Sequence, residues 1–301
     1  MTRFSIVITS YNQREFIKDA VDSALWLRHK PEEIIVVDDG SVDGSQEILR
    51  QYGDAIRLVC FQTNCGRSAA ANHGAALATG EYLVFLDGDD AFLPWALDVY
   101  KEIVKAKKPK MILGCMREFE GKLPILQPGN TPREIHTVEY QDYLRKDRAF
   151  GISASALVIN RESFHDAQGW SRDAWPMDDQ DLTLRLGNCG RTIHILAPHT
   201  ILYRSHAANA SKRVPPFLAA LCRIIHNERA GEYPGGERRS RERCAIIGKE
   251  VVFWSIKATK ARLYGAALKL LARGWPMACV AVARRLRIAL KGRQPYETIK
   301  M

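Results

Sequence analysis

The chain has 301 residues, 46% of them hydrophobic and 26% charged, with a formal net charge of +10. That composition supports a full core and excludes a disordered or low-complexity chain, and the length admits one large domain or two smaller ones. The charge is uneven: from Ile201 onward 21 Lys and Arg stand against 6 Asp and Glu, so the first 200 residues are net acidic.

In chain order, residues 4–9 predict a strand and 13–27 an amphipathic helix. A second strand over 33–38 is followed by a helix over 43–52, capped by Ser41 or Asp43. A strand at 56–60, an Ala-rich helix at 68–78 stopped by Thr79-Gly80, and a buried strand at 82–86 continue the pattern. A helix over 93–106 and a strand over 111–115 close it. Such alternation predicts an α/β fold, a mostly parallel sheet covered by helices. Residues 117–150 hold several Pro and Gly and predict loops or a small antiparallel insert. Strands at 156–160 and 192–196 flank a helix at 179–186. After Pro215-Pro216 the chain reads as helical and basic, which sets a boundary near Val214 between residues 1–214 and a C-terminal region, 215–301.

In an open parallel sheet, ligands bind beyond the carboxyl ends of the strands. Four polar clusters fall at such ends: Thr9-Ser10-Tyr11-Asn12, Asp38-Asp39-Gly40-Ser41, Asn64-Cys65-Gly66-Arg67 and Asp87-Gly88-Asp89-Asp90. Three carboxylates closing a buried strand repel one another, and a divalent cation with a taste for oxygen, Mg²⁺ or Mn²⁺, removes that cost. An acidic turn capping the next helix is the plainer alternative. Asp87 and Asp89 share a face if the strand continues through them. Tyr11 offers a ring for a base, Thr9 and Asn12 offer hydrogen bonds, and a carboxylate after the second strand can accept from a pyrimidine or ribose. No glycine follows the first strand, which excludes the dinucleotide fingerprint, and no P-loop pattern occurs.

With these clusters in order, the chain resembles an inverting glycosyltransferase of family 2 with the GT-A fold, over roughly its first 210 residues. The resemblance implies that Thr9, Tyr11 and Asp39, with Asp38, hold the base. It sets Asn64, Gly66 and Arg67 beside the nucleotide, with Arg67 taking a phosphate contact because Ala71 stands where the family often has Arg. Asp87 and Asp89 become the D-x-D pair, the first toward ribose and metal, the second on the metal. Asp179, in Asp178-Asp179-Gln180-Asp181-Leu182, matches the general base, Asp178 stands where Glu is common, and Asp181 caps or braces the helix. The plainer reading of that run is an acidic helix start. His206 is a candidate metal ligand or phosphate contact. Trp170, Trp175 and Asp178 are candidates for the acceptor side, with core packing the alternative for the tryptophans.

The function implied is transfer of a sugar from a UDP-sugar to a hydroxyl of a glycan or lipid-linked acceptor, with Mn²⁺ or Mg²⁺, in cell-surface polysaccharide synthesis. Transfer to polyprenyl phosphate and nucleotide-sugar binding without turnover are the alternatives. The seven cysteines form no CxxC pair, which speaks for a reducing compartment and against structural zinc. No leader pattern and no uncharged apolar run of about 18 residues is read. The expected location is cytoplasmic, peripheral on the inner face of the plasma membrane, with residues 215–301 either meeting an anionic membrane surface or packing on the core. No nucleic-acid partner is expected.

Overall fold

The computed structural model describes residues 2–124, 132–149, 151 and 153–301. The parts of the 117–150 segment at 125–131 and 150 lie outside the described residues.

Four parallel strands build the first half of the main sheet: β1 (Phe4–Ser10), β2 (Glu33–Asp38), β3 (Arg57–Cys60) and β4 (Tyr82–Asp87). The helices between them are α1 (Ile17–Leu25), α2 (Ser45–Arg50) and α3 (Arg67–Leu77). The chain steps outward through β1, β2 and β3, then returns to place β4 on the other side of β1. That reversal opens a crevice at the carboxyl ends of β1, β2 and β4.

Alternation along the strands sorts their side chains into two layers. Ile6, Ile8, Ile34, Val36, Val84 and Leu86 pack on α1 and on α4 (Ala96–Lys107). Val7, Ile35, Val37, Leu83 and Phe85 pack toward α3. The Ala70, Ala71 and Ala75 face lets α3 lie close to the sheet.

The second half of the sheet is mixed. Between α3 and the later elements come β5 (Ala91–Phe92), β6 (Met111–Leu113), β7 (Met116–Glu120), β8 (Glu134–Tyr140) and β9 (Leu157–Asn160). Strand β9 inserts antiparallel between β4 and β6. After α5 (Arg161–Asp166) and α6 (Asp178–Arg185), β10 (Thr192–Ala197) pairs parallel with β6 and antiparallel with β8. The expected loops or insert therefore contribute a full strand to the main sheet, β8, and β7 to a second sheet. In that second sheet β11 (Ile201–Ser205) runs parallel to β7 and antiparallel to β5.

The C-terminal region folds as α7 (Val214–Ala230), α8 (Gly236–Lys260) and α9 (Tyr264–Lys291). Pro215 and Pro216 start α7 where their missing N–H groups cost nothing, and Gly231 ends it at φ +75°. Leu221, Ile224, Ile247, Val251 and Leu270 join the core that holds Leu144, Leu182 and Leu184. The region thus packs on the sheet-bearing body. Helices α8 and α9 touch closely: a Cβ on Gly248 would lie 1.9 Å from the Met277 carbonyl oxygen. Residues 297–300 depart from the helical expectation. They form β12 (Glu297–Lys300), an edge strand antiparallel to β8, whose alternating polar side chains carry no apolar run to announce it.

Helix α9 alone among the described helices is long and apolar enough, by length and composition, to cross a membrane. Its Ala267, Leu270, Gly274, Met277 and Ala278 are buried against the protein. Tyr264, Leu268, Leu271, Trp275, Val282 and Leu286 form an exposed stripe at helical spacing, and Val252, Phe253 and Ile256 of α8 are exposed as well.

Candidate active site

The register places Thr9 beside Asp87 and Ser10 beside Asp38, so the ends of β1, β2 and β4 meet at one edge. The first two loops are stitched together. Asn12 N–H donates to Ser41 Oγ at 2.8 Å, Val42 N–H donates to Asn12 Oδ1 at 2.9 Å, and Gln13 N–H donates to Ser45 Oγ. Tyr11 is left pointing outward, 45% exposed.

The two carboxylates after β2 differ. Asp38 is fully buried and accepts from Ser41 N–H, Ser41 Oγ and Gln46 Nε2, so it braces its own loop. Asp39 is almost as buried, at 2%, so burial does not separate the two as ligand contacts. Asp39 accepts from Cys65 N–H at 2.7 Å and Gly66 N–H at 2.8 Å, drawing the third loop to the edge. Asn64 is exposed on that loop and accepts from Gly66 N–H.

Strand β4 ends at Asp87, so Asp87 and Asp89 come together through a turn, closed by Asp90 N–H donating to Asp87 O at 3.0 Å, and not along a continued strand. Gly88 is required there: a Cβ would lie 2.3 Å from Gln13 Oε1 and 3.0 Å from Thr9 O. Asp89 Oδ2 lies 2.9 Å from His206 Nε2, and the Phe16 ring packs against His206, tilted by 35° with centroids 4.7 Å apart. Asp90 turns inward, accepting from Ser155 Oγ at 2.6 Å and Arg204 N–H at 2.9 Å. Burial, then the charges of Asp89 and Asp87, push the Asp90 carboxyl well above the ordinary carboxylate range. Burial likewise raises Asp87, with Asp89 adding to it and Arg67 opposing it.

Arg67 is not a free phosphate contact. Its Nε donates to Asp87 Oδ1 and its Nη1 to Asp178 Oδ2, both at 2.8 Å, and its guanidinium lies 4.5 Å from the Trp170 ring centroid. Nε and Nη1 are engaged by carboxylates, so Arg67 clamps the end of β4 to the start of α6. Ser68 Oγ adds a bond to Asp178 at 3.0 Å.

Asp178 and Asp179 open α6. Asp178 is buried under this clamp, while Asp179 is partly open, and its Oδ1 accepts from Gln180 N–H. Burial, then the adjacent Asp178 charge, hold the Asp179 carboxyl well above its ordinary value. Asp181 braces the helix, as expected, by accepting from Arg185 and from Tyr233 Oη at 2.8 Å. Trp170 is 2% exposed and packs on Phe85 and Phe164, so it is a core residue and not an acceptor platform. Trp175 is 45% exposed.

Two residues that hold the site escaped sequence reasoning. Ser155 donates to Asp90 and accepts from Asp87 N–H, because antiparallel β9 starts beside the end of β4. Arg204 pairs with Asp19 at 2.6 Å and donates from Nε to the Asp89 carbonyl. An arginine two residues before a candidate ligand was its sole signal.

Among the described residues no group of three His, Cys, Asp or Glu is arranged to hold a metal ion. The donor set nevertheless suits one: an oxygen and an imidazole nitrogen already converge at Asp89 and His206, and Asp87 beside them has its charge disfavoured. The remaining ligands would have to come from a bound molecule.

The fold and this edge define a GT-A-type α/β protein. A model described as glycosyl transferase family 2 matches residues 5–168, more than half of the chain, and the chain belongs to that family. It is 35% identical over 166 residues to TuaG of Bacillus subtilis (strain 168), named for teichuronic acid biosynthesis, which covers 52% of this chain and 62% of TuaG. It is 27% identical over 274 residues to the poly-beta-1,6-N-acetyl-D-glucosamine synthase of Staphylococcus epidermidis, covering 86% of this chain and 59% of that protein. The chain thus spans about three fifths of the length of these two curated relatives. Among solved structures, S. aureus TarS 1–349 in complex with UDP-GlcNAc superposes with a TM-score of 0.70 at 14% identity, over 97% of this chain and 93% of TarS 1–349. The mannosyltransferase PcManGT from Pyrobaculum calidifontis, in complex with GDP-Man and Mn²⁺, superposes with a TM-score of 0.56 at 17% identity, over 96% and 86%. At these identities the superpositions establish the fold.

Proposed function

We propose that this chain transfers a sugar, with inversion, from a UDP-sugar to a hydroxyl of a glycan or lipid-linked acceptor in cell-surface polysaccharide synthesis. The observation that carries this reading is the Arg67 clamp. It ties Asp87, at the corner where a diphosphate would leave, to Asp178, the neighbour of the carboxylate that would take the acceptor proton. The relatives named for teichuronic acid and poly-N-acetylglucosamine synthesis, and TarS with UDP-GlcNAc, support the substrate class.

Tyr11 stacks the base, Thr9 and Asp39 contact it, and Asn64 and Gly66 border the nucleotide. Asn12, Asp38 and Arg67 shape this pocket from behind. Asp179 accepts the proton of the attacking hydroxyl, and its raised pKa brings it nearer the working pH of a general base. Asp87, Asp89 and His206 would hold Mn²⁺ or Mg²⁺, which neutralises charge on a departing diphosphate when bound. Trp175 offers the acceptor sugar an apolar face. The exposed apolar stripe of α9, flanked by Lys269, Arg273, Arg285 and Arg287, fits an anionic inner leaflet.

The test is Asp179→Asn. Binding of UDP with Mn²⁺, read by calorimetry, stays within twofold of wild type, while sugar transfer falls by about 10²–10⁴, the usual worth of a general base. Near-normal transfer by the variant removes Asp179 from the reaction.

A further inference from the structure

A cavity of about 540 Å³ lies between β7, β11, the loop after β11 and the end of α8. Its lining includes Tyr203, Ser205 and Glu118 together with Lys212, Lys257 and Lys260. Among the described residues none of these three ammonium groups lies within 4.0 Å of a carboxylate; Lys257 rests instead over the rings of Phe253 and Trp254, at 5.1 and 4.8 Å. Among the lining residues three such cations stand against one carboxylate, Glu118, a local surplus of positive charge set beside the acidic corner.

The cavity adjoins the acidic corner. Tyr203 and Ser205 alternate along β11 with Arg204, and the next residue is His206, in contact with Asp89. Burial, with Asp90, Asp89 and Asp87 adding to it, pushes the Tyr203 hydroxyl up to about 12.

Next to the cavity, with Lys260 in the lining of both, lies an apolar groove. This second hollow, about 390 Å³, is lined by Val252, Ile256 and Leu271 and shares Lys260 with the first. The order is therefore acidic corner, lysine-lined cavity, and then a shallow apolar groove that belongs to the exposed apolar surface of α8 and α9.

We propose that the lysine-lined cavity binds the phosphate or diphosphate head of a lipid-linked acceptor, whose apolar chain leaves along the Val252–Ile256–Leu271 groove. The charge surplus recognises the head, the groove recognises the chain, and Lys260 stands at the junction. This deepens the transferase reading by naming the acceptor class, and it rests on that reading only for the direction in which the acceptor hydroxyl points.

The test uses the full chain with its donor site filled by saturating UDP and Mn²⁺. Farnesyl diphosphate, inorganic pyrophosphate and farnesol are titrated below micelle formation. Farnesyl diphosphate is expected to bind at least tenfold more tightly than pyrophosphate or farnesol. Lys257→Ala/Lys260→Ala weakens farnesyl diphosphate and pyrophosphate at least tenfold. Ile256→Ser weakens farnesyl diphosphate at least threefold and leaves pyrophosphate unchanged. These side chains are partly or fully exposed, so melting temperatures should match wild type, and UDP affinity should match it too. Unchanged affinity of the double lysine variant for farnesyl diphosphate overturns the proposal. So does lost flotation of that variant onto phosphatidylglycerol vesicles with farnesyl diphosphate binding intact, which makes the lysines general membrane contacts. Failure of wild type to bind UDP overturns the UDP-sugar donor instead, and the acceptor titrations then stand by themselves in EDTA.

Discussion

Replacing Arg67 by methionine strips the compensating charge from two shielded carboxylates at once. The guanidinium sits 2.8 Å from both Asp87 and Asp178, whose side chains are 26% and 6% exposed. Removing one partner from a buried ion pair costs about 3–5 kcal/mol, because the charges left behind have neither water nor a counterion. With an unfolding entropy of about 2.1 cal/mol/K per residue over 301 residues, that is a fall of about 5–8 °C in melting temperature. The deficit should depend on pH. Asp87 is already raised in the folded protein and rises further without Arg67. A carboxyl raised on folding binds its proton where the unfolded chain has lost it, so its stability contribution falls as pH climbs past the unfolded value. The loss should accordingly be larger at pH 8 than at pH 5. Thermal melts of wild type and Arg67→Met at both pH values read it directly. Added UDP and Mn²⁺ should recover part of the loss at pH 8, since a bound cation replaces the missing charge beside Asp87. Melting of Arg67→Met within 1 °C of wild type at pH 8 would refute the clamp.

Two further outcomes follow from the packing. Gly248→Val places a side chain where even a Cβ meets Met277 O at 1.9 Å, so α9 must move off α8. Overpacking of this kind costs about 1–3 kcal/mol, and faster proteolysis within 264–291 should accompany a lower urea midpoint. Lys146 lies 4.0 Å over the Tyr143 ring, and burial, with Lys249 and Arg284 adding to it, pushes its ammonium down to about 7. Between that value and the ordinary lysine value of about 10.4 the unfolded chain binds a proton that the folded chain lacks, so stability rises with pH there. Lys146→Met should abolish the rise in urea midpoint from pH 7 to pH 9; an equal rise in both proteins contradicts it.

The strand-end clusters were legible because parallel strands leave every carboxyl end on one edge, whatever the rest of the chain does. Thr9, Tyr11, Asp39, Asp87 and Asp89 meet there for that reason. What escaped was pairing across long separations. Strand β9 enters antiparallel beside β4 and brings Ser155 under Asp87 and Asp90. Strand β12, far down the chain, closes the sheet edge on β8. Neither pairing has a local pattern, because the partners are set by which edge is left open.

By itself, then, the order of residues determined the α/β alternation, the acidic corner after the fourth strand and the acidic start of α6. Those features rest on periodicity and on charges adjacent in the chain. Only the tertiary structure decided which polar groups stay available. Asp38 closed onto its own loop, Trp170 went into the core, and Arg67 spent its charge on Asp178, 111 residues away. Burial and ion pairing are properties of the neighbours a side chain acquires on folding, and those neighbours here come from distant segments.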